Sequence, residues 1–431
     1  MPLKEGTMRL FLPLPLLLLI SSIAIGQMDC RSTDYKQGLL SRTPSLLTEF
    51  SKIEAFTRSR LQHGAGIAVT GGGHGGKETA VITIPVIVHI LYHSATENIS
   101  DAQVLSQIAV LNRDYRKTNA DTSAIPQYYS SMSADCGIQF ALANLDTIGY
   151  PSSGIVRKYT DVQTFDINDR IKSSAKGGDD AWDRDRYLNI WVGNLNTGIL
   201  GYSSMPGAPK EIDGVVIQYT AFGTQGTAHA PFNLGRTATH EIGHWLNLIH
   251  LWGDTDCGDD AVEDTPPQHG ANRGTPGGIR VTCGNGPYGD MYMDYMDFTD
   301  DIGMHMFTSG QRDRMRTLFA EGGPRYAILS SNGLSSSTVI SSQTPPLSSV
   351  MDGAPQLSIY PNPAQGPVSV IISEGSRIGS VLEVYNLTGQ RMISVRIMRL
   401  TFQIDVSSLP GGVYFVGIND GKSNMVKLVK L

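Results

Sequence analysis

The chain has 431 residues, 40% of them hydrophobic and only 17% charged, with 47 glycines and a formal net charge of -6. That length corresponds to two or three domains, and the composition excludes a disordered charged chain, a coiled coil and a collagen. The acidic balance argues against nucleic acid as a partner, and four cysteines allow one or two disulfides rather than a disulfide scaffold.

Residues 9–25, RLFLPLPLLLLISSIAI, follow a short basic start and end in small residues before Gly26 and Gln27. The run contains Pro13 and Pro15 and falls short of the about 20 apolar residues of a membrane span, so residues 1–26 read as a secretory signal peptide. No other stretch has the character of a span, and the exported chain is expected to have no stable membrane insertion. The polar region after it, partly helical, ends in the glycine-rich linker GAGIAVTGGGHGGK (64–77). VITIPVIVHILY (81–92) is a β-branched run with the pattern of a buried strand. Ser100 and Gln103 form a capping box that opens a helix, with Val104, Ile108, Leu111 and Tyr115 on one face. YLNIWV (187–192) and GVVIQY (214–219) read as further strands, and a helical pattern starts near Thr237. After His250 the chain is loop-rich until SGQRDRMRTLFA (309–320), a closing helix expected to be capped by Ser309. A stretch rich in Ser, Thr and Pro then leads into the alternating segments VSVII, VLEVYN, FQIDV and VYFVGI, a small all-β domain.

The chemistry is carried by TATHEIGHWLNLIH (237–250). His240 and His244 are four apart, so on a helix both imidazoles face one ion, and Glu241 lies where it can take a proton from a zinc-bound water. His250 is ten residues beyond His240, about 15 Å along a straight helix, and reaches the same ion only if the helix stops and the chain turns back. Asn247 stands at the place of that stop, and Asn is the best non-glycine residue for a left-handed helix end. Three histidines leave a fourth position for water, as a catalytic zinc site requires. Such a motif arises by chance in a chain of this composition with a probability on the order of 10⁻⁴.

HExxHxxNxxH followed by a methionine turn resembles the metzincin zinc endopeptidases, and most of all the pappalysin family. The resemblance extends to ISDAQVLSQIAVLNRDYRKTN (99–119), GGDDAWDRDRYLNIWV (177–192), HLWGD (250–254), EDTPPQ (263–268) and YMDFTDDIGMHMFTSGQ (295–311). It implies an α/β (α+β) zincin fold with a mixed twisted sheet and an active-site helix, and a secreted endopeptidase acting on proteins or peptides. It implies zinc on His240, His244 and His250, Glu241 as general base, and Met296 as the floor beneath the metal. The family often has tyrosine where this chain has Phe298, which cannot donate to an oxyanion unless Tyr295 substitutes. Cys257 and Cys283 are implied to pair, leaving Cys136 unpaired and buried. Structural calcium is implied in the acidic loop 254–264, with Asp260, Asp264 and Thr265 as ligands. Cys30 is implied to ligate the zinc of a zymogen until residues 27–77, the propeptide and its linker, are cut away, with Arg58 and Arg60 as candidate cuts. GILGYSSMP (198–206) falls where the family has its substrate-pairing edge strand, and Asp300 and Asp301 lie where a pocket for basic side chains would be.

Catalytic residues 78–325 are then followed by a linker (326–355) and a β-sandwich (356–431). YPNPAQG (360–366), LPGGVYFV (409–416) and the terminal KLVKL make that last domain similar to type IX secretion sorting domains, which implies the secretion machinery as a partner. The alternative reading is a surface adhesin with a silent zinc site, and an intact Glu241 favours the enzyme.

Overall fold

The computed structural model describes residues 29–63, 80–149, 151–335, 357–372, 380–397, 401–418 and 425–431. The signal peptide, the glycine-rich linker and most of the Ser/Thr/Pro linker lie outside the described residues. The chain divides into two units, Met1–Val339 and Ile340–Leu431.

The first unit begins with β1 (Asp29–Cys30) and two helices, α1 (Ser32–Arg42) and α2 (Leu46–Gln62). Its sheet is built around β2 (Ile82–Tyr92), the β-branched run. One edge of β2 is shared in parallel by β3 (Ile138–Leu142) and β4 (Ile155–Tyr159), and the other pairs in parallel with β5 (Leu188–Gly193). Beyond β5 come β6 (Ile199–Ser203) and β7 (Val215–Gln218): β7 is parallel to β5, and β6 runs antiparallel to β7 and, on its far side, parallel to β1.

Strand alternation sends Ile84, Val86, Val88 and Ile90 to one face, where α3 (Asp101–Tyr115) and α5 (Arg236–Trp245) cover them. The expected face of α3, Val104, Ile108, Leu111 and Tyr115, is the buried one, and Ser100 caps it by accepting from the Gln103 N–H at 3.2 Å. Trp191, Val216 and Tyr202 turn to the opposite face, against Tyr35 and Leu39 of α1. A single turn, α4 (Gln127–Ser130), precedes β3.

After α5 come the short parallel pair β8 (Arg273–Gly274) and β9 (Phe298–Thr299), then α6 (Ser309–Thr317). The cap of α6 is Thr308, not Ser309: Thr308 Oγ1 accepts from the Gln311 N–H at 3.1 Å, and the Gln311 side chain accepts from the Thr308 N–H at 2.8 Å. The expected linker boundary at 326 also shifts. Tyr326–Ser330 forms a 3-10 turn that buries Ile328 in the core, and the Gly333 carbonyl accepts from the Asn144 N–H at 2.7 Å, so this stretch packs on the first unit.

The second unit has two antiparallel sheets around one core. One holds β10 (Leu357–Tyr360), β11 (Val368–Ile372) and β14 (Thr401–Ile404). The other holds β12 (Val381–Asn386), β13 (Arg391–Arg396), β15 (Gly412–Ile418) and β16 (Val426–Lys430). Both sheets supply the core, Val368 and Val370 from one and Leu382, Val384, Val416 and Leu428 from the other.

Beneath α5 lies a buried ion pair. Arg325 donates to both oxygens of Asp213 at 2.8 and 2.9 Å, Trp245 Nε1 donates to the same carboxylate at 2.6 Å, and the guanidinium stacks 3.8 Å from the Trp245 ring centre. Both charges are 1% exposed, so removing one strands the other. Asp213→Ala is expected to lower stability by about 3–5 kcal/mol in a urea titration; a loss below about 1 kcal/mol would mean that water solvates Arg325.

Candidate active site

Helical spacing puts His240 and His244 on one face of α5, a helix buried along its whole length, with their Nε2 atoms 3.1 Å apart. The helix then ends as expected. Asn247 has φ +70°, its N–H donates to the His244 carbonyl at 2.9 Å, and the Leu248 N–H donates to the Gly243 carbonyl at 2.9 Å. These two bonds are the Schellman arrangement, with Asn in the position that glycine usually takes. The reversed chain brings His250 Nε2 to 3.1 Å from His244 Nε2.

Each imidazole is oriented through its other nitrogen. His240 Nδ1 donates to the Tyr295 carbonyl (2.7 Å), His244 Nδ1 to the Leu248 carbonyl (2.9 Å) and His250 Nδ1 to the Asp254 carboxylate (2.5 Å). Acceptors on all three Nδ1 atoms leave the Nε2 lone pairs facing one another. Burial and the neighbouring His250 push the His240 imidazole down to about 3, and His244 is lowered for the same reasons, so both rings are neutral donors to a cation. Trp252 stacks on His250 at 4.5 Å. Met296 is fully buried under α5: a Cβ on Gly243 would come within 2.5 Å of its Sδ, so the glycine of HEIGH lets the helix settle on the methionine.

Glu241 is fully buried, and burial pushes its carboxyl up to about 7. Oε2 accepts from Ser32 Oγ at 2.7 Å, and Oε1 is buried without a partner. Cys30 Sγ lies 3.5 Å from His244 Nε2, and its sulfur and the three Nε2 atoms all fall within 4.8 Å of one another. Burial and the Glu241 carboxylate hold the thiol protonated in the absence of an ion; a coordinated cation reverses that preference.

The segment carrying Cys30 lies along the edge strand, with Asp29 opposite Ile199 and Cys30 opposite Gly201. It then crosses to the other face of the sheet. There the Tyr35 hydroxyl donates to Asp169 at 2.5 Å, and the ammonium of Lys172 lies between the rings of Tyr35, Trp191 and Tyr202 at 4.6–5.5 Å. α2 is tied to α6 through Arg314 Nη2 on Glu54 at 2.6 Å. Arg58 and Arg60, the candidate cuts, sit in the last turns of α2, and Arg60 donates to the Glu321 carbonyl at 2.8 Å, so cleavage there requires that turn to unwind.

Other expectations fare differently. Cys257 and Cys283 are disulfide-bonded, and Cys136 is free and buried. The Tyr295 hydroxyl faces away from the histidines and accepts from Arg236 at 2.5 Å, so it does not replace the hydroxyl that Phe298 lacks. Asp260 accepts the Thr265 hydroxyl at 2.8 Å, whereas Asp264 accepts from Thr308 Oγ1 (2.6 Å) and the Gly310 N–H (2.8 Å) and so serves the start of α6. Asp301 is buried at the base of a cleft lined by Phe232, Thr237, His240, Glu241, Phe298 and Met304, while Asp300 is partly exposed. Sequence reasoning missed Ser32, Trp252 and Arg273 altogether, and Asp254 as a histidine partner; for Asp254 the spacing four residues after His250 was the available signal.

A mixed sheet, a helix bearing HExxH, a third histidine brought back by a reversed chain and a thiol over all three define a zinc-dependent metallopeptidase in latent form. A family model described as Pregnancy-associated plasma protein-A matches residues 172–320, and one described as Secretion system C-terminal sorting domain matches residues 358–430. An extracellular metalloprotease of Pyricularia oryzae is 32% identical over 254 residues, 56% of this chain and 76% of that protein. Among solved structures, mature mirolysin of Tannerella forsythia in complex with a cleaved peptide is 44% identical with a TM-score of 0.58, covering 58% of this chain and 97% of that one. A promirolysin mutant from the same organism is 40% identical with a TM-score of 0.63, covering 70% and 96%. The chain belongs to the pappalysin family of zinc metalloproteases. It is a secreted endopeptidase made as a zymogen, and its C-terminal domain is a sorting domain of the type IX secretion system. No helix of the described residues is long and apolar enough to cross a membrane.

The left-handed turn can be tested separately from the histidines. Asn247→Gly is expected to keep bound zinc at the parent level. Asn247→Val, β-branched at positive φ, is expected to cost about 1–2 kcal/mol and to lower zinc content measured by plasma mass spectrometry. Equal zinc in both variants would show that the turn does not hold His250.

Proposed function

We propose that His240, His244 and His250 hold the catalytic zinc through Nε2, that Glu241 is the general base of peptide-bond hydrolysis, and that Cys30 is the ligand that keeps the zymogen silent. The observation that carries this is the convergence of three imidazole nitrogens and one sulfur within 4.8 Å, beside a buried carboxylate. A bound zinc supplies Lewis acidity and lowers the pKa of water. Glu241 accepts the proton of the attacking water and returns it to the leaving nitrogen. In the zymogen the Ser32 hydroxyl occupies Glu241 Oε2 and Cys30 covers the histidines, so base and metal site are blocked together. Met296 supports α5 from below through Gly243.

The proposal extends to substrate choice. Asp301 at the base of the cleft would receive a basic side chain. Burial pushes its carboxyl up to about 7, and two backbone N–H groups, of Leu234 and Arg236, oppose that shift. Calcium at the acidic loop belongs to the same reading, resting now on Asp260, which burial pushes up to about 7, and on the nearby Asp294, whose Oδ2 is buried without a partner. A cation would relieve both. Melting the zinc-loaded chain with and without calcium tests it.

The central test is cleavage of a proteome-derived peptide library by the full chain activated by limited proteolysis, read by mass spectrometry. Glu241→Gln is expected to lower kcat/KM by about 10²–10⁴-fold while zinc stays bound; activity within a few-fold of the parent would remove Glu241 from the mechanism. Unprocessed Cys30→Ala is expected to cut peptides that the unprocessed parent leaves intact. For Asp301 the sign follows from its raised pKa: the carboxyl is neutral below about 7 and ionised above it. The ratio of kcat/KM for an arginine peptide to that for its leucine analogue should therefore rise between pH 6 and 8, and a flat ratio would exclude Asp301 as the partner.

A further inference from the structure

Arg273 lies on β8, in the loop region between the third histidine and the methionine turn. Its guanidinium stacks 5.3 Å from the ring centre of Phe298, which itself lies 5.6 Å from His240 and 4.8 Å from His250. The same guanidinium forms an ion pair with the carboxylate of Asp29. Asp29 is the residue before Cys30, it lies on the edge strand opposite Ile199, and it lines the cleft together with Cys30, Glu241 and Asp301. In the zymogen, then, a carboxylate carried by a strand in the cleft is held by Arg273 next to the catalytic residues.

Activation removes Asp29 but not the features that aim Arg273. β8 is paired with β9, the Asp300 N–H donates to the Gly274 carbonyl at 2.7 Å, and the stack on Phe298 lies wholly within the catalytic part. A phenyl ring without a hydroxyl presents a plain face to the guanidinium, which suits that stack. We propose that in the active enzyme Arg273 is a specificity-determining residue that binds an acidic side chain of the peptide substrate, within two residues of the side chain that enters the pocket over Asp301. Asp29 is its stand-in in the zymogen. The cleft thus reads charge twice: an acid at its base selects a basic residue, and a base stacked on its Phe298 wall selects an acidic one beside it. This rests on the reading of the cleft as the peptide-binding site.

The experiment compares full chains activated by limited proteolysis, the parent beside Arg273→Ala and Arg273→Glu, on one peptide library and on peptide pairs that differ only by Asp or Ala at the positions flanking the basic residue. The parent is expected to prefer the acidic member by about tenfold, the size of one charge-assisted hydrogen bond. Arg273→Ala should bring that ratio to about one, and Arg273→Glu should invert it toward Lys or Arg at the same position. A purely structural role for Arg273 would lower all rates together and leave the ratio unmoved, and a latch role confined to the zymogen would leave the parent without preference; either result overturns the proposal. If the parent itself cuts nothing, the catalytic reading fails instead, so the two failures are distinguishable. Raising salt should shrink the parent's preference and leave that of Arg273→Ala unchanged.

Discussion

The left-handed residue at Asn247 is the constraint on which the histidine cluster depends. A straight continuation of α5 would carry His250 away from His240 and His244. The reversal returns it, and the same reversal brings the Leu248 carbonyl to His244 Nδ1 at 2.9 Å, so the turn that recruits the third ring also orients the second. The first ring takes its partner from the Tyr295 carbonyl, next to Met296, and the third from Asp254. Each Nδ1 partner therefore comes from a segment that packs under or after α5. Together they pre-orient the rings, which lowers the entropy cost of binding an ion.

In the zymogen reading proposed above, latency is distributed along the N-terminal segment rather than placed on the thiol alone. Ser32 bonds Glu241 at 2.7 Å and accepts from the Ser203 N–H at 2.8 Å, so one hydroxyl links the base to the edge strand. Five residues after Cys30 the chain is already on the other face of the sheet, where Tyr35 closes a buried site around Lys172. Burial lowers the pKa of that ammonium, and Asp169 opposes the shift. A segment gripping both faces of an edge strand does not leave when a single bond breaks. Release calls for loss of the Tyr35 anchor in α1 and the Glu54 anchor in α2 as well, and α2 is the helix that carries both candidate cuts.

Much of this was legible in the sequence because it depends on local rules. The β-branched run at 81–92 became the central strand, the face of α3 was read from its period, and the Asn247 turn followed from the need to bring His250 back. What escaped has physical reasons. Either Thr308 or Ser309 carries a suitable hydroxyl for the cap of α6, and Thr308 takes it through the local capping box with Gln311 and a tertiary bond to Asp264. Tyr326–Ser330 looked like linker because only Ile328 is buried there, and one apolar residue makes no period. Ser32 and Arg273 carry no motif; each matters through a partner 209 or 244 residues away. In the acidic loop the carboxylates are gathered in sequence, but which neighbour each one bonds is set by the fold: Asp264 bonds Thr308 at the start of α6, and Asp260 bonds Thr265.

The wall of the cleft is held independently of the histidines. Asp297 is fully buried, and its carboxylate accepts from the Asn272 N–H (2.7 Å), Asn272 Nδ2 (2.8 Å), Gln268 Nε2 (3.0 Å) and the Phe298 N–H (2.8 Å). These bonds tie residues 268–272 to the methionine turn, and so they set where Arg273 begins and where the Phe298 ring lies. All four donors are neutral, and burial pushes the Asp297 carboxyl up to about 6 rather than down. An acid satisfied by four neutral donors supports the wall without adding an ion pair to compete with Arg273 or Asp301 for a charged substrate. Changes to this network should therefore move substrate preference before they move zinc affinity, because none of its bonds is made to a histidine.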